Sequence, residues 1–523
     1  MTQLKTIERG LNGKGLKSNF EKLQSIVRGL TPEAQKLAQH YVILGHNQKF
    51  KGVTIQLFEL LLKEPNIDIN DALVRLGNIT KHALENRVLR LKEILGYMLV
   101  NENLTQKENY YSPRYQAFFL SKDYLKQYHV LITIGAIQEA YDKLIWVIQK
   151  SKEYEWYDSL IEAFYLQIEY LSKMSDTGSI DEIDQQIVYY EFCRRNLRKA
   201  RLIFDELSNV TQKSASNSDL IAIYDKNINH LEELYSKTSS DLIQYQIIKL
   251  KINASNLKKD YDLAGRYSQE LLNLVTNAPS VSQPDTKGIA CIYISESLIY
   301  QKNYKDALIY TLNARSYFTQ FSYNYGQTLE LEYHIQLYNG DYKRAEAIIL
   351  ELLDVANYPS SPYHIQRKTY MLCCALFAQE RYDETWEHLQ DLGRLKKDKT
   401  GWKIGIRFIT ILLLKLRNDE FGIENVTLQW RREMATLTKN QAIRKRDLRL
   451  FSILLRLCRS NESWSDFVKK NSKLFAEFED DKDLAWLPAT HELIDILQWL
   501  KCKAFRRSYS LNETFPQLYS NVH

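Results

Sequence analysis

The feature that most constrains this chain is a phrase it repeats. NGDYKRAEAIILEL, with Tyr342 three residues ahead of Ala345, recurs as KKDYDLAGRYSQELL (Tyr261, Ala264), QKNYKDALIYTLNA (Tyr304, Ala307) and QERYDETWEHLQDL (Tyr382, Thr385). The small residues fall at 264, 307, 345 and 385, in steps of 43, 38 and 40 residues. A ladder of that period, each rung holding two amphipathic helical patterns, is the mark of a helix-pair solenoid. The cause is local. The turn inside each pair must be tight, which suits Gly340 or Asn303, and an Asp there can cap the second helix. The Tyr then lies across the junction, and the small residue lets the two helices approach. A first-helix pattern precedes each rung, as in IACIYISESLIYQ at 289–301, where Ile294, Ser295 and Leu298 share a face. One pair cannot bury its apolar stripe alone, so neighbours must stack.

Composition points the same way. Only 18 Gly and 9 Pro punctuate 523 residues, too few for a turn-rich β protein, while 45% hydrophobic residues supply a sizeable core. Six Cys form no CxxC, which fits small buried thiols in a reducing cytoplasm. The N-terminus lacks an apolar signal core, and the most apolar stretch, 404–416, carries Arg407 and Lys415 and is too short to span a bilayer. The expectation is a soluble cytoplasmic protein without membrane insertion.

The 288–319 unit resembles a tetratricopeptide repeat at Ile294, Ser295, Leu298, Tyr304, Ala307 and Ala314, the family's large-small-large, turn-aromatic and small positions. The 326–353 unit matches at Gly340, Asp341, Tyr342 and Ala345. The 366–392 unit matches at Leu372, Cys373, Leu376 and Tyr382, with Thr385 in place of the usual Ala. The family's Trp is absent, and the period exceeds its 34 residues. The match covers 245–392 and is degenerate elsewhere, with weaker rungs at Gly135, Ile137 and Ala140 and at Leu197 and Ala200. A helical head before such pairs is similar to a group of bacterial repeat proteins and to peptide-sensing regulators. The resemblance implies an all-α, right-handed superhelical array of antiparallel helix pairs, with a concave face lined by the first helices.

Three regions are expected: a helical head (1–110), the array (111–395) with a longer pair near 178–236, and a C-terminal helical cap (396–523). The strings 208–219 and 277–288 read as linkers or capped turns. Within the head, a short helix ending at Gly77, a turn at Asn78-Ile79 and a helix from Thr80 have the order of a helix-turn-helix. The spacing from Ala72 to Gly77 is one residue too long for it, and no wing follows. Five helical stretches are expected after 400, the last at 489–505.

No catalytic constellation is legible. GLNGKGLKS at 10–18 lacks the Lys after its last Gly and the strand of a phosphate loop, and reads as a flexible stretch. HELID at 491–495 has no second His and reads as helix surface. EFEDDKD at 477–483 lacks the Gly of a calcium loop. Cys374 and His388 have no third partner. The sequence therefore predicts no cofactor, no metal and no enzyme activity.

The resemblance carries the family's groove positions onto Lys249, Asn253 and Asn256; Ile292, Glu296, Ile299 and Tyr300; Gln327, Glu330, His334 and Tyr338; and Arg367, Tyr370 and Phe377. Ile292 and Ile299 read equally well as core. The mix differs from the Lys/Arg clamp that holds a C-terminal carboxylate. A second candidate surface is basic: 394–449 holds 15 Lys+Arg against 6 Asp+Glu, with Arg431, Arg432, Arg444, Lys445, Arg446 and Arg449 at its centre. The reading favours a scaffold that binds a protein or peptide. The alternative is a peptide-sensing or nucleic-acid-binding regulator working through the head or the basic face. The partner's identity is not written in the sequence.

Overall fold

The computed structural model describes residues 14–30, 32–44, 51–101, 112–174, 178–210, 217–320, 322–355, 359, 361–392, 401–439 and 443–515. These residues are all-α, and none of them is in a strand. None of their helices is long and apolar enough to cross a membrane. Two compact units divide at Lys122 and Asp123.

In the first unit, α1 (Lys14–Arg28), α2 (Pro32–Leu44), α3 (Lys51–Lys63), α4 (Ile69–Arg75) and α5 (Lys81–Asn101) surround their own core of Phe20, Leu23, Leu57, Phe58, Ala72 and Leu84. The expected turn is present. Asp68 caps α4, and Gly77 (φ 86°) and Asn78 (φ 56°) reverse the chain before α5. The inward face of α5, through Leu84, Val88, Leu91 and Leu95, is fully buried in that core. Of GLNGKGLKS, residues 14–18 are helical, and the rest lies outside the described residues, as does most of the segment proposed to lack a wing.

After α6 (Pro113–Thr133), the second unit runs through α7 (Ile137–Glu153), α8 (Tyr157–Lys173), α9 (Ile180–Val210) and α10 (Asn217–Thr238). The ladder follows as the pairs α11 (Asp241–Leu257) with α12 (Tyr261–Asn277), α13 (Pro284–Tyr300) with α14 (Tyr304–Ser316), α15 (Tyr323–Asn339) with α16 (Tyr342–Asp354), and α17 (Pro362–Ala378) with α18 (Tyr382–Asp391). Helices α9 and α10 are longer than their neighbours, as expected. The rung at Leu197 and Ala200 is not a turn: both lie inside the 31-residue α9. A Leu and Ala three residues apart serve a continuous helix face equally well. Of the 277–288 stretch only 278–283 is a connection, since α13 already begins at Pro284, and 211–216 lies outside the described residues.

Each ladder turn has one construction. A residue with positive φ (Lys259, Lys302, Gly340, Glu380) ends the first helix. The next residue donates its N–H back to the first helix: Asp260 to Ser255 O at 2.9 Å, Asn303 to Leu298 O at 2.9 Å, Asp341 to Gln336 O at 2.9 Å and Arg381 to Leu376 O at 3.1 Å. This is the left-handed helix stop. Asp260, Asn303 and Asp341 then cap the second helix by accepting from Leu263, Asp306 and Arg344 N–H. Ala264, Ala307, Ala345 and Thr385 are fully buried where the helices meet. There Ser295 Oγ donates to Ala307 O at 3.0 Å, and Cys373 Sγ lies 3.9 Å from Thr385 O. Neighbouring pairs are joined at the same level. Tyr261 stacks on Tyr300 at 4.4 Å, and the Gln301 and Gln379 amides donate to Tyr261 O and Tyr342 O.

The construction continues past 400, where no rung was expected. Helices α19 (Trp402–Leu416) and α20 (Glu420–Lys439) are joined through Asn418 (φ 54°), with Asp419 N–H donating to Leu414 O at 3.0 Å and Asp419 Oδ1 accepting from Gly422. Next come α21 (Lys445–Arg459), α22 (Trp464–Lys470), α23 (Ser472–Asp480) and α24 (Ile496–Ala504). One core runs without a break from Cys291 through the last two ladder pairs to Tyr509. The expected helix at 489–505 begins only at Ile496. Asp495 caps it, Ala489 has φ 54°, and HELID is an extended, mostly buried link rather than helix surface.

Candidate functional site

Four first helices of the ladder, α11, α13, α15 and α17, turn polar residues toward a cavity of about 340 Å³. Asn256, Glu296, Tyr300, Gln327, Glu330, His334 and Arg367 line it, so seven of the fourteen mapped groove positions converge, with Ile299 as an eighth. Tyr261, Tyr323, Leu331 and Ala489 complete the wall with Ile299. Ile299 is at once core and lining, whereas Ile292 is core. Tyr261 and Tyr323 stand at helix starts, outside the spacing that marks the first-helix face. Ala489 arrives from more than 100 residues away.

Burial sets the electrostatics. Glu330 forms an ion pair with Arg367, whose guanidinium lies 4.8 Å over the Trp402 ring. Loss of water pulls the Arg367 pKa down to about 10. His334, only 4% exposed, is lowered to about 4 by burial and is neutral at physiological pH. Glu296 has no Lys, Arg or His within ion-pair distance among the described residues, and desolvation pushes its carboxyl up to about 7. The same burial raises the Tyr300 hydroxyl, and the Glu296 charge adds to that shift. Three buried polar atoms on the cavity residues lack hydrogen-bond partners: Asn256 Oδ1, His334 Nδ1 and Arg367 Nε. A buried polar atom without a partner costs on the order of 1–3 kcal/mol, which a ligand could recover.

The other five mapped positions lie elsewhere. Lys249 sits 4.1 Å over the Phe204 ring, its pKa lowered to about 8 by burial. Asn253 lies beside the Tyr224 hydroxyl. Tyr338, Tyr370 and Phe377 are not groove lining but core, covered by the C-terminal segment. Ala489 N–H donates to Tyr338 Oη at 2.7 Å, Tyr370 Oη donates to His491 O at 2.9 Å, and Trp499 packs 5.2 Å from Phe377. The mapping carried no information about a segment folding back over these helices.

The basic candidates are mostly paired. Arg446, 3% exposed, lies beneath the surface with its guanidinium on Glu492 and Asp495. Arg444 binds Asp447, Lys445 binds Asp481 at 2.6 Å, and Arg449 lies 3.6 Å from Glu477. Arg431 and Arg432 are exposed on α20. The residues before 401 that contribute to the basic count lie outside the described residues.

No family model matches the chain, and no curated protein matches it. Among solved structures, a signal transduction ATPase with numerous domains that carries a tetratricopeptide repeat sensor, from Pyrococcus horikoshii, is similar at 10% identity and a TM-score of 0.35. The similarity covers 79% of this chain and 65% of that one. So loose a superposition supports no inference, and this chain spans under two thirds of that protein.

Proposed function

We propose that this chain is a non-catalytic interaction scaffold that holds a peptide segment of a partner protein against the first-helix face of its repeat array. The observation that carries the reading is the convergence of Asn256, Glu296, Tyr300, Gln327, Glu330, His334 and Arg367, spread over four helices and more than 100 residues, on one cavity. Groove recognition of this kind draws on a few placed polar groups and aromatic faces, and both are present. Six free thiols suit a reducing compartment such as the cytoplasm. The nucleic-acid alternative is weaker, because Arg444, Lys445, Arg446 and Arg449 already face carboxylates and offer phosphates little net charge.

The test is to pan a displayed random peptide library on the full chain and on Tyr300→Ala and Gln327→Ala variants. Enriched peptides should bind the wild type and weaken on both variants. No enrichment, or peptides indifferent to both changes, would defeat the reading.

A further inference from the structure

We propose that the cavity is a receptor for a cationic side chain, an arginine guanidinium above all, with Glu296 as its counter-ion and the Tyr261–Tyr300 stack beside it. The inference rests on the groove reading above and assigns the chemistry of the occupant.

Charge decides the sign of the ligand. The lining carries two carboxylates and one guanidinium. The Arg367 charge is already matched by Glu330 through one terminal nitrogen, with the guanidinium over the Trp402 ring and its Nε left unpartnered. Arg367 is therefore a poor anchor for an anion, which would also meet Glu296. Glu296 is the carboxylate left over. Holding it half-buried in this wall without a cation is costly, and its raised pKa reports that cost. Bringing a cation to it removes the cost.

Hydrogen bonding points to a donor-rich ligand. Asn256 Oδ1 is a buried acceptor with no donor, and His334 Nδ1 is a second unpartnered atom on a side chain 4% exposed. Glu296 adds two acceptor oxygens, and the Gln327 amide can supply another. A guanidinium brings five N–H donors in one plane and stacks on aromatic faces, whereas an ammonium brings three on a strongly hydrated centre. Tyr261 and Tyr300 lie parallel at 4.4 Å with 10° between their planes, an aromatic wall on the cavity beside Glu296. The volume is at the small end for ligand pockets (roughly 300–1,000 Å³), enough for one or two side chains.

Two measurements on the full chain test this. First, N-acetyl-arginine methylamide is titrated at pH 8 while thermal unfolding is followed. The wild type should be stabilised in proportion to concentration, Glu296→Gln should not respond, and the citrulline analogue, isosteric but neutral, should have no effect on either. Equal responses of wild type and variant, or none in the wild type, overturn the proposal without needing any peptide. Second, peptides enriched on the groove should share an Arg or Lys at one position. Replacing it with citrulline or Gln should weaken wild-type binding about tenfold or more and leave Glu296→Gln binding little changed. Groove-dependent peptides with no such position would sink the cation assignment and spare the groove.

Discussion

With desolvation holding its carboxyl near 7, Glu296 works against the stability of the empty protein. Below about pH 4.5 the group is protonated in the folded and unfolded chains alike, and it contributes no penalty. As pH rises, the unfolded chain ionises first, and the folded chain loses stability until pH passes about 7, on the order of 1–3 kcal/mol in all. Glu296→Gln should therefore raise the denaturation midpoint at pH 8 and leave it unchanged at pH 4. A variant that unfolds earlier at pH 8 would show that a cation already satisfies the carboxylate. His334 runs the other way with pH: it is neutral in the folded and unfolded chains above about 6.5 and costs nothing there. Acidification toward its lowered value of about 4 charges the unfolded chain first and so destabilises the fold. Seven lining residues were legible because a first helix presents the same positions in every repeat. Tyr338, Tyr370 and Phe377 occupy those positions too. Their burial depends on contacts 121 and 151 residues away, at His491 and Ala489, which leave no local trace in the sequence.

Among the elements, the turns carry the regularity. Gly340 takes φ 86° as glycine readily does, but Lys302 (62°), Lys259 (59°) and Glu380 (63°) adopt the same region with a side chain, at roughly 1 kcal/mol each. Lys302→Gly would also lose the Lys302 contact with the Trp486 ring, whereas Lys259→Gly should change stability by no more than about 1 kcal/mol and in the favourable direction. Gly340→Ala should cost about 1–2 kcal/mol, both read by chemical denaturation. Opposite signs at equivalent positions of two pairs are the discriminating result. The same turn explains why the α19–α20 pair was missed. At its head Glu420 replaces the Tyr and Ile423 the Ala, so a search for those residues fails, yet Asn418 and Asp419 retain the stop and the cap. In this chain turn chemistry outlasts the aromatic and small positions.

At the scale of the whole second unit, the C-terminal segment closes one end of the polar face. Arg446, Glu492 and Asp495 bind in the interior, some 46 to 49 residues apart, so a run that looks like a basic surface is half of an internal network. Removing one partner leaves the others buried and uncompensated. Arg446→Ala should cost about 3–5 kcal/mol, while Arg431→Ala on the exposed face of α20 should be near neutral. Gly405 tests the closure itself. A methyl at that position would collide with the His491 carbonyl oxygen and sit 2.5 Å from the Tyr370 hydroxyl, and the first of these is backbone that cannot swing aside. Gly405→Ala must therefore lift residues 489–495, take from Tyr370 its acceptor and draw Ala489 from the cavity edge. Amide hydrogen exchange over 489–497 should quicken at least several-fold, with α7 and α8 unchanged. Gly96→Ala, with open space around its new carbon on α5, should stabilise by about 0.5–1 kcal/mol and leave 489–497 untouched. If Gly405→Ala exchanges like the wild type, the segment is not seated on α17 and α19, and the groove is longer than the cavity that now ends at Ala489.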